Sequence, residues 1–171
     1  MVQLPNFDRG AKVLDVGAGD GYMTQRLRDE LGCDAFALEP SVGGYQECVK
    51  RLGKDHAFNL TLQKAVESDP ENFVGKFDAL TVFRYNIAVQ SKEKFAEVLA
   101  QCLTPNGRLF ITSVEEERIK FNSSAEGPYI IDSLGKYFGQ VVVKDVSIKN
   151  CTYGVVECGE PRQELKWALN K

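Results

Sequence analysis

"VLDVGAGDGYMT", residues 13–24, decides how this chain folds. Ala11 to Val16 is an apolar run too short for a stable helix, and its residue types suit a strand buried on both faces. Glycines then alternate at positions 17, 19 and 21. From Tyr22 to Leu31 the spacing of Met23, Leu27 and Leu31 predicts a helix with one apolar stripe, closed by Gly32. Strand therefore becomes helix across a backbone almost bare of side chains, with Asp15 before it and Asp20 inside it.

The same order recurs downstream. "CDAFALEP" predicts a second strand ending at Glu39, followed by Ser41 as a cap and by Val42, Tyr45, Val49 and Leu52 at helical spacing. A third strand is expected within "AFNLTLQ", a polar connection with turn residues over "ESDPENFVGK", and a fourth strand at "FDALTVF". "SKEKFAEVLAQCL" reads as a helix capped by Ser91, with Phe95, Val98, Leu99 and Cys102 on one side; "TPNG" turns the chain into a fifth strand, "RLFITS". Alternating strands and helices imply a parallel sheet covered on both faces. The last third departs from this pattern. After a helix in "PYIIDSLGKYFG", with Ile130, Ile131, Leu134, Tyr137 and Phe138 inward, two strands follow in succession, "QVVVKDVSIK" and "CTYGVVECGE". The Lys149-Asn150 turn signal makes them an antiparallel hairpin at the sheet edge.

Composition bounds the function. The 171 residues fit one domain, and 43% hydrophobic with 26% charged content is that of a globular chain without low-complexity segments. A net charge of -3 supplies no general attraction to nucleic acid or anionic membrane, so nucleic acid is disfavoured as a partner and no membrane is expected. Five cysteines without a CxxC pair suggest neither a disulfide framework nor a zinc site. The expected location is cytoplasmic, or at least an intracellular reducing compartment. The single histidine, His56, reads as a solvated loop residue, and no metal is expected.

The charge of the glycine turn selects its ligand. A dinucleotide turn spaces its glycines G-x-G-x-x-G and seats a pyrophosphate. Here the spacing is G-x-G-x-G, and Asp20 within it would repel a phosphate but attract a cation. S-adenosylmethionine carries a sulfonium and an ammonium and no phosphate. Gly17 and Gly19 would let the main chain approach its methionine and ribose portion. Asp15 and Asp20 would hold the ammonium end directly or through water, and Glu39 would accept from both ribose hydroxyls. Taken singly, such glycines only make a turn and such an acid only caps a helix; together, in register with the later strands, they mark a site.

At this point the chain resembles the class I, Rossmann-like S-adenosylmethionine-dependent methyltransferases: "VLDVGAGDG" looks like their first motif, "FALEPS" their acidic second, "KFDALTVF" their fourth strand and "LTPNGRLFITS" their fifth. The resemblance covers roughly residues 10 to 160. It implies a single methyltransferase domain over 1–171, with a tail at 161–171. The implied fold is a seven-stranded, mostly parallel α/β sheet of order 3-2-1-4-5-7-6, with strand 7 antiparallel and helices on both faces. For cofactor binding it implies Asp15, Gly17, Ala18, Gly19, Asp20, Gly21, Glu39, Pro40, Phe83 and Arg84, with S-adenosylhomocysteine as product.

The acceptor is less legible. The loop "FRYNIAVQ" after the fourth strand should face the methyl group, with Asn86 orienting a substrate nitrogen and Tyr85 stacking on it; as plain structure, Arg84 would be surface and Tyr85 core. It lacks the (Asn/Asp)-Pro-Pro-(Tyr/Phe) sequence of amino-group enzymes, and no tetrad for ribose 2'-O-methylation can be placed. A weaker resemblance to DREV-type protein-histidine methyltransferases, in "LDVGAGDGYMT", Asn86 and "FNSS", keeps a protein side chain beside a small molecule as acceptor. Glu115, Glu116 and Glu117 would line a channel for a basic acceptor or form a solvated face. Only ten residues precede Ala11, so the site is expected to be open on that side and completed by a protein surface, a partner subunit or dimer, or residues beyond these. The tail "EPRQELKWALNK" offers Leu165, Trp167 and Leu169 for docking on its own sheet or on a partner. The alternatives are a catalytically inactive methyltransferase-like scaffold subunit and an NAD-linked oxidoreductase.

Overall fold

A computed structural model describes residues 4–83, 91–114, 130–148 and 151–162. The chain alternates β1 (Lys12–Val16), α1 (Tyr22–Leu31), β2 (Asp34–Leu38), α2 (Val42–Leu52), β3 (Ala57–Phe58), α3 (Leu62–Ser68), α4 (Pro70–Phe73), β4 (Phe77–Val82), α5 (Lys92–Cys102) and β5 (Leu103–Val114). It closes with α6 (Ile130–Tyr137), β6 (Phe138–Ile148) and β7 (Cys151–Pro161). The seven strands form one sheet of order β3-β2-β1-β4-β5-β7-β6. β1 to β5 pair in parallel, whereas β7 runs antiparallel between β5 and β6, as expected.

Residue size along the strands separates the two layers. Leu14, Val16, Leu38, Leu80, Val82, Leu109 and Ile111 meet α3, α5 and α6 in the larger core. On the opposite face, Val13, Ala35, Ala37 and Ala79 are small enough for α1 and α2 to lie close against the strands. The alternation in "DAFAL" of β2 carries both layers, Ala35 and Ala37 to one side and Phe36 and Leu38 to the other. Caps end the helices where residue chemistry demands. Gly32 closes α1 in the left-handed region at φ 69°, and the Ser91 hydroxyl accepts from the Lys94 amide at 3.2 Å to start α5. Ser91→Ala should lower stability by about 1 kcal/mol in urea denaturation, with Ser91→Asp restoring most of the loss.

Four expectations need correction. The stretch "ESDPENFVGK" is mostly helical: it holds the end of α3 and all of α4, because Thr61 caps α3 and Pro70 sits at the first position of α4. The third strand does fall within "AFNLTLQ", as the two residues Ala57–Phe58. "TPNG" lies within β5 as a bulge, since Phe77 pairs with Leu103 while Ala79, two residues on, pairs with Arg108. His56 is half-buried: its ring stacks on Phe36 at 4.9 Å and Nε2 is 3.5 Å from Asp34 Oδ1. Val42, expected on the inward stripe of α2, is 62% exposed, although Leu52 is buried. Leu134, Tyr137 and Phe138 are buried as predicted. The Lys149-Asn150 turn lies outside the described residues.

Candidate active site

β1 carries Asp15 to the α1 side of the sheet, where it is 1% exposed. Register sets it beside Ala37 of β2 and Thr81 of β4. The Thr24 hydroxyl, from the first turn of α1, donates to Asp15 Oδ2 at 2.6 Å, and the Thr81 hydroxyl donates to Oδ1 at 2.9 Å. Burial raises the pKa of Asp15 from 3.8 to about 6 despite these two donors, which pull it down; the charge of Glu39 adds to the rise. Asp15 is thus a sunken charge with both oxygens engaged.

The glycine turn above it takes backbone conformations that L side chains avoid, with φ of 72° at Gly17, 60° at Gly19 and 75° at Gly21. The three have different surroundings. A β-carbon at Gly17 or Gly19 would meet nothing within 4 Å, whereas one at Gly21 would lie 3.1 Å from Cys48 Sγ and 3.2 Å from Cys48 Cα. Gly21 is a packing glycine, and the other two border open space. The Gly17 and Ala18 amides both donate to the Leu38 carbonyl, at 2.8 and 3.2 Å, which ties the turn to the end of β2.

Glu39 sits at that strand end, 8% exposed. Its Oε2 accepts from the Gly19 amide and its Oε1 from the Ser41 amide, each at 2.9 Å. The Asn59 side-chain amide donates to the Glu39 and Pro40 carbonyls at 3.0 and 3.1 Å, holding β2 and β3 together at their carboxyl ends. A carboxylate offers about four acceptor directions, so Glu39 keeps capacity for further donors.

Asp20 is placed differently. Its side chain is 59% exposed and paired with Arg51 at 3.2 Å, while Oδ1 accepts from the Tyr22 amide at 3.1 Å. Arg51 also donates to the Asp20 carbonyl at 3.0 Å and to Gln25 at 3.1 Å, and lies over the Tyr22 ring at 5.8 Å. The turn's outer acid is therefore already answered by a guanidinium.

Beyond the carboxyl ends of β1 and β2 opens a cavity of about 470 Å³. Gly17, Glu39 and Pro40 line it together with Val16 and Leu38. The opposite walls are Leu60 to Gln63 after β3 and Ser91, Lys94, Phe95 and Val98 of α5. No motif in the sequence marks these walls as part of the site. The available signal was positional, since cofactors in open α/β sheets sit beyond the strand ends and "NLTLQ" follows one. Of the remaining site residues, Ala18 packs against the Ala37 and Cys48 cluster, and the Phe83 ring meets Phe110 edge-on at 6.2 Å. Arg84, Tyr85, Asn86, Glu115 to Glu117, "FNSS" and the tail beyond Arg162 lie outside the described residues. Among the described residues no group of three or more His, Cys, Asp or Glu could hold a metal ion, and no helix is long and apolar enough to cross a membrane.

A mostly apolar cavity with a carboxylate on its wall, bordered by a glycine turn with a buried acid behind it, on a sheet of order 3-2-1-4-5-7-6, defines the Rossmann-like methyltransferase fold. Among solved structures, phosphoethanolamine N-methyltransferase 2 of Haemonchus contortus, in complex with S-adenosylhomocysteine, shares it at a TM-score of 0.68 and 12% identity, over 91% of this chain and 50% of that one. The [4+2]-cyclase SpnF also shares it, at 0.68 and 14%, over 90% of this chain and 76% of that one. The chain belongs to a methyltransferase domain family, whose profile residues 2–157 match, and that family is S-adenosylmethionine-dependent. It is 29% identical over 119 residues to the mitochondrial ubiquinone biosynthesis O-methyltransferase of Bos taurus, covering 66% of this chain and 31% of that protein. A relative from Xanthomonas oryzae, also a ubiquinone biosynthesis O-methyltransferase, is 27% identical over 130 residues, covering 73% of this chain and 52% of its own length. The chain thus spans about a third to a half of these relatives.

Proposed function

We propose that this domain binds S-adenosylmethionine across the ends of β1 and β2 and transfers its methyl group to a small-molecule oxygen nucleophile. The observation that carries the cofactor is the pairing of Gly17 and Gly19, whose missing β-carbons would point into open space, with Glu39 held at the same rim. The bare backbone accommodates the methionine portion, Glu39 accepts from the ribose hydroxyls, and Leu38, Leu60, Leu62 and Phe95 flank an apolar slot for a purine. Asp15 acts from beneath the turn. With both oxygens engaged and almost no exposure, it supplies negative potential to the ammonium end through a low-dielectric layer rather than by contact. The bound cofactor supplies an activated methyl group and a neutral leaving group, so this chain's residues have to orient the acceptor and exclude water. Asn86 and Tyr85 remain proposed for that orientation.

The small-molecule acceptor is favoured over a protein side chain by the ubiquinone biosynthesis O-methyltransferases among the relatives. SpnF is a reminder that this fold alone does not set the reaction. Calorimetry with S-adenosylhomocysteine, followed by transfer of labelled methyl to a panel of catechols, amines and histidine peptides, tests both halves. Saturable binding and label in the catechols are expected. Label only in peptides would overturn the acceptor class, and no binding at millimolar ligand would overturn the cofactor.

A further inference from the structure

One face of α2 supports the glycine turn. Gly44, Cys48 and Arg51 stand at i, i+4 and i+7 and so share a side of the helix. Cys48 Sγ donates to the Gly19 carbonyl at 3.3 Å, and Arg51 Nε donates to the Asp20 carbonyl at 3.0 Å. Gly44 contributes an absence. A β-carbon there would lie 2.7 Å from the Gly19 carbonyl oxygen, 2.7 Å from Glu39 Cγ and 2.8 Å from Ser41 Oγ, closer than real β-carbons come to other atoms. The first is backbone, and the second is the stem of a carboxylate fastened at both oxygens. Neither gives way without moving the other, because the Gly19 amide is the donor that fastens it.

Gly43, one residue earlier in the same helix, provides the comparison. A β-carbon there would meet nothing within 4 Å. Glycine inside a helix is unfavourable at either position, and only at Gly44 does sterics require it. We propose that Gly44 is a positioning residue for the ribose. By letting α2 approach the turn without a side chain, it sets where the Glu39 carboxylate stands against the Gly19 amide, and hence whether both ribose hydroxyls reach it. The inference deepens the proposed function and rests on it.

The experiment compares binding of S-adenosylhomocysteine and its 2'-deoxyadenosine analogue to the wild-type chain and to Gly43→Ala and Gly44→Ala, by calorimetry alongside circular-dichroism melting. The wild-type chain should prefer the ribose form by about tenfold, the value of one charge-assisted hydrogen bond. Gly43→Ala should melt at a higher temperature with the same preference. Gly44→Ala should bind S-adenosylhomocysteine at least about tenfold more weakly and lose most of its preference over the analogue, a change that general destabilisation would not produce. A folded Gly44→Ala chain that keeps the wild-type preference overturns the proposal. So does failure to fold both alone and with Gly43→Ala added, because Gly44 would then determine the fold rather than the site. A wild-type chain that binds neither ligand overturns the proposed function and this role with it; binding with preference intact in Gly44→Ala removes this role alone.

Discussion

At neutral pH the Asp15→Asn variant is expected to be more stable than the wild-type chain, by up to about 3 kcal/mol at roughly 1.4 kcal/mol for each unit between 3.8 and about 6. The sign follows from the direction of the shift. A carboxyl whose folded pKa lies above its unfolded value favours the folded state while protonated, below about 3.8, and that contribution is lost as pH rises through about 6. Above that window the wild-type chain carries a buried charge that the variant lacks. The asparagine amide can accept from one threonine hydroxyl and donate to the other, so Thr24 and Thr81 both keep a partner. Urea denaturation across the window should show the variant's advantage shrinking as pH falls, and a variant less stable than wild type at neutral pH would refute the account.

Such a cost is retained for a reason that binding should expose. If the sunken charge of Asp15 attracts the ammonium of the cofactor, wild-type affinity for S-adenosylhomocysteine falls below about pH 6, approaching tenfold per unit, while the variant's weaker affinity stays level. Stability and binding then move in opposite directions on one substitution, as expected where a site keeps a feature the fold would discard.

The second large effect is at Glu39. Glu39→Gln preserves volume but replaces one acceptor oxygen by a donor, so either the Gly19 or the Ser41 amide loses its partner, and the ribose loses a charged acceptor. With charge-assisted hydrogen bonds worth about 1.5–3 kcal/mol each, affinity for S-adenosylhomocysteine should fall about 100-fold, and the unpaired amide should lower stability by about 1–3 kcal/mol. Calorimetry and denaturation measure the two separately. Unchanged affinity would remove Glu39 from the site, whatever the stability.

These two acids show how far the chain could be read before folding. Both were legible as candidates, because a carboxylate at a strand end beside a glycine turn follows from local order. Their roles were not equally legible. Glu39 stands on the cavity wall, whereas Asp15 lies under the turn with two hydroxyls on it. Asp20, read as the partner of Asp15 in holding a cation, turned out to be paired with Arg51. The distinction depends on which way each side chain leaves the backbone and on what packs against it, and the one-dimensional pattern carries neither.

The misreadings have the same origin. "ESDPENFVGK" has the composition of a connection, yet Thr61 and Pro70 start helices in and around it whose buried residues, Val66 and Phe73, find a core only when the sheet is present. His56 lies in a polar segment, and its neighbour Phe36 is supplied by another strand.

By itself the sequence determined the alternation of strands and helices, the glycine turn, the strand-end carboxylates and the closing antiparallel hairpin. Each of these is encoded within a few residues by side-chain period and turn chemistry. The tertiary structure alone decided that Thr81, 66 residues from Asp15, holds its carboxylate. It also decided that Arg51, 31 residues from Asp20, claims that acid, that α3 and α5 wall the cavity, and that α2 needs its bare Gly44. Those are contacts between elements distant along the chain, and they exist only once burial of the two apolar layers has brought the elements together.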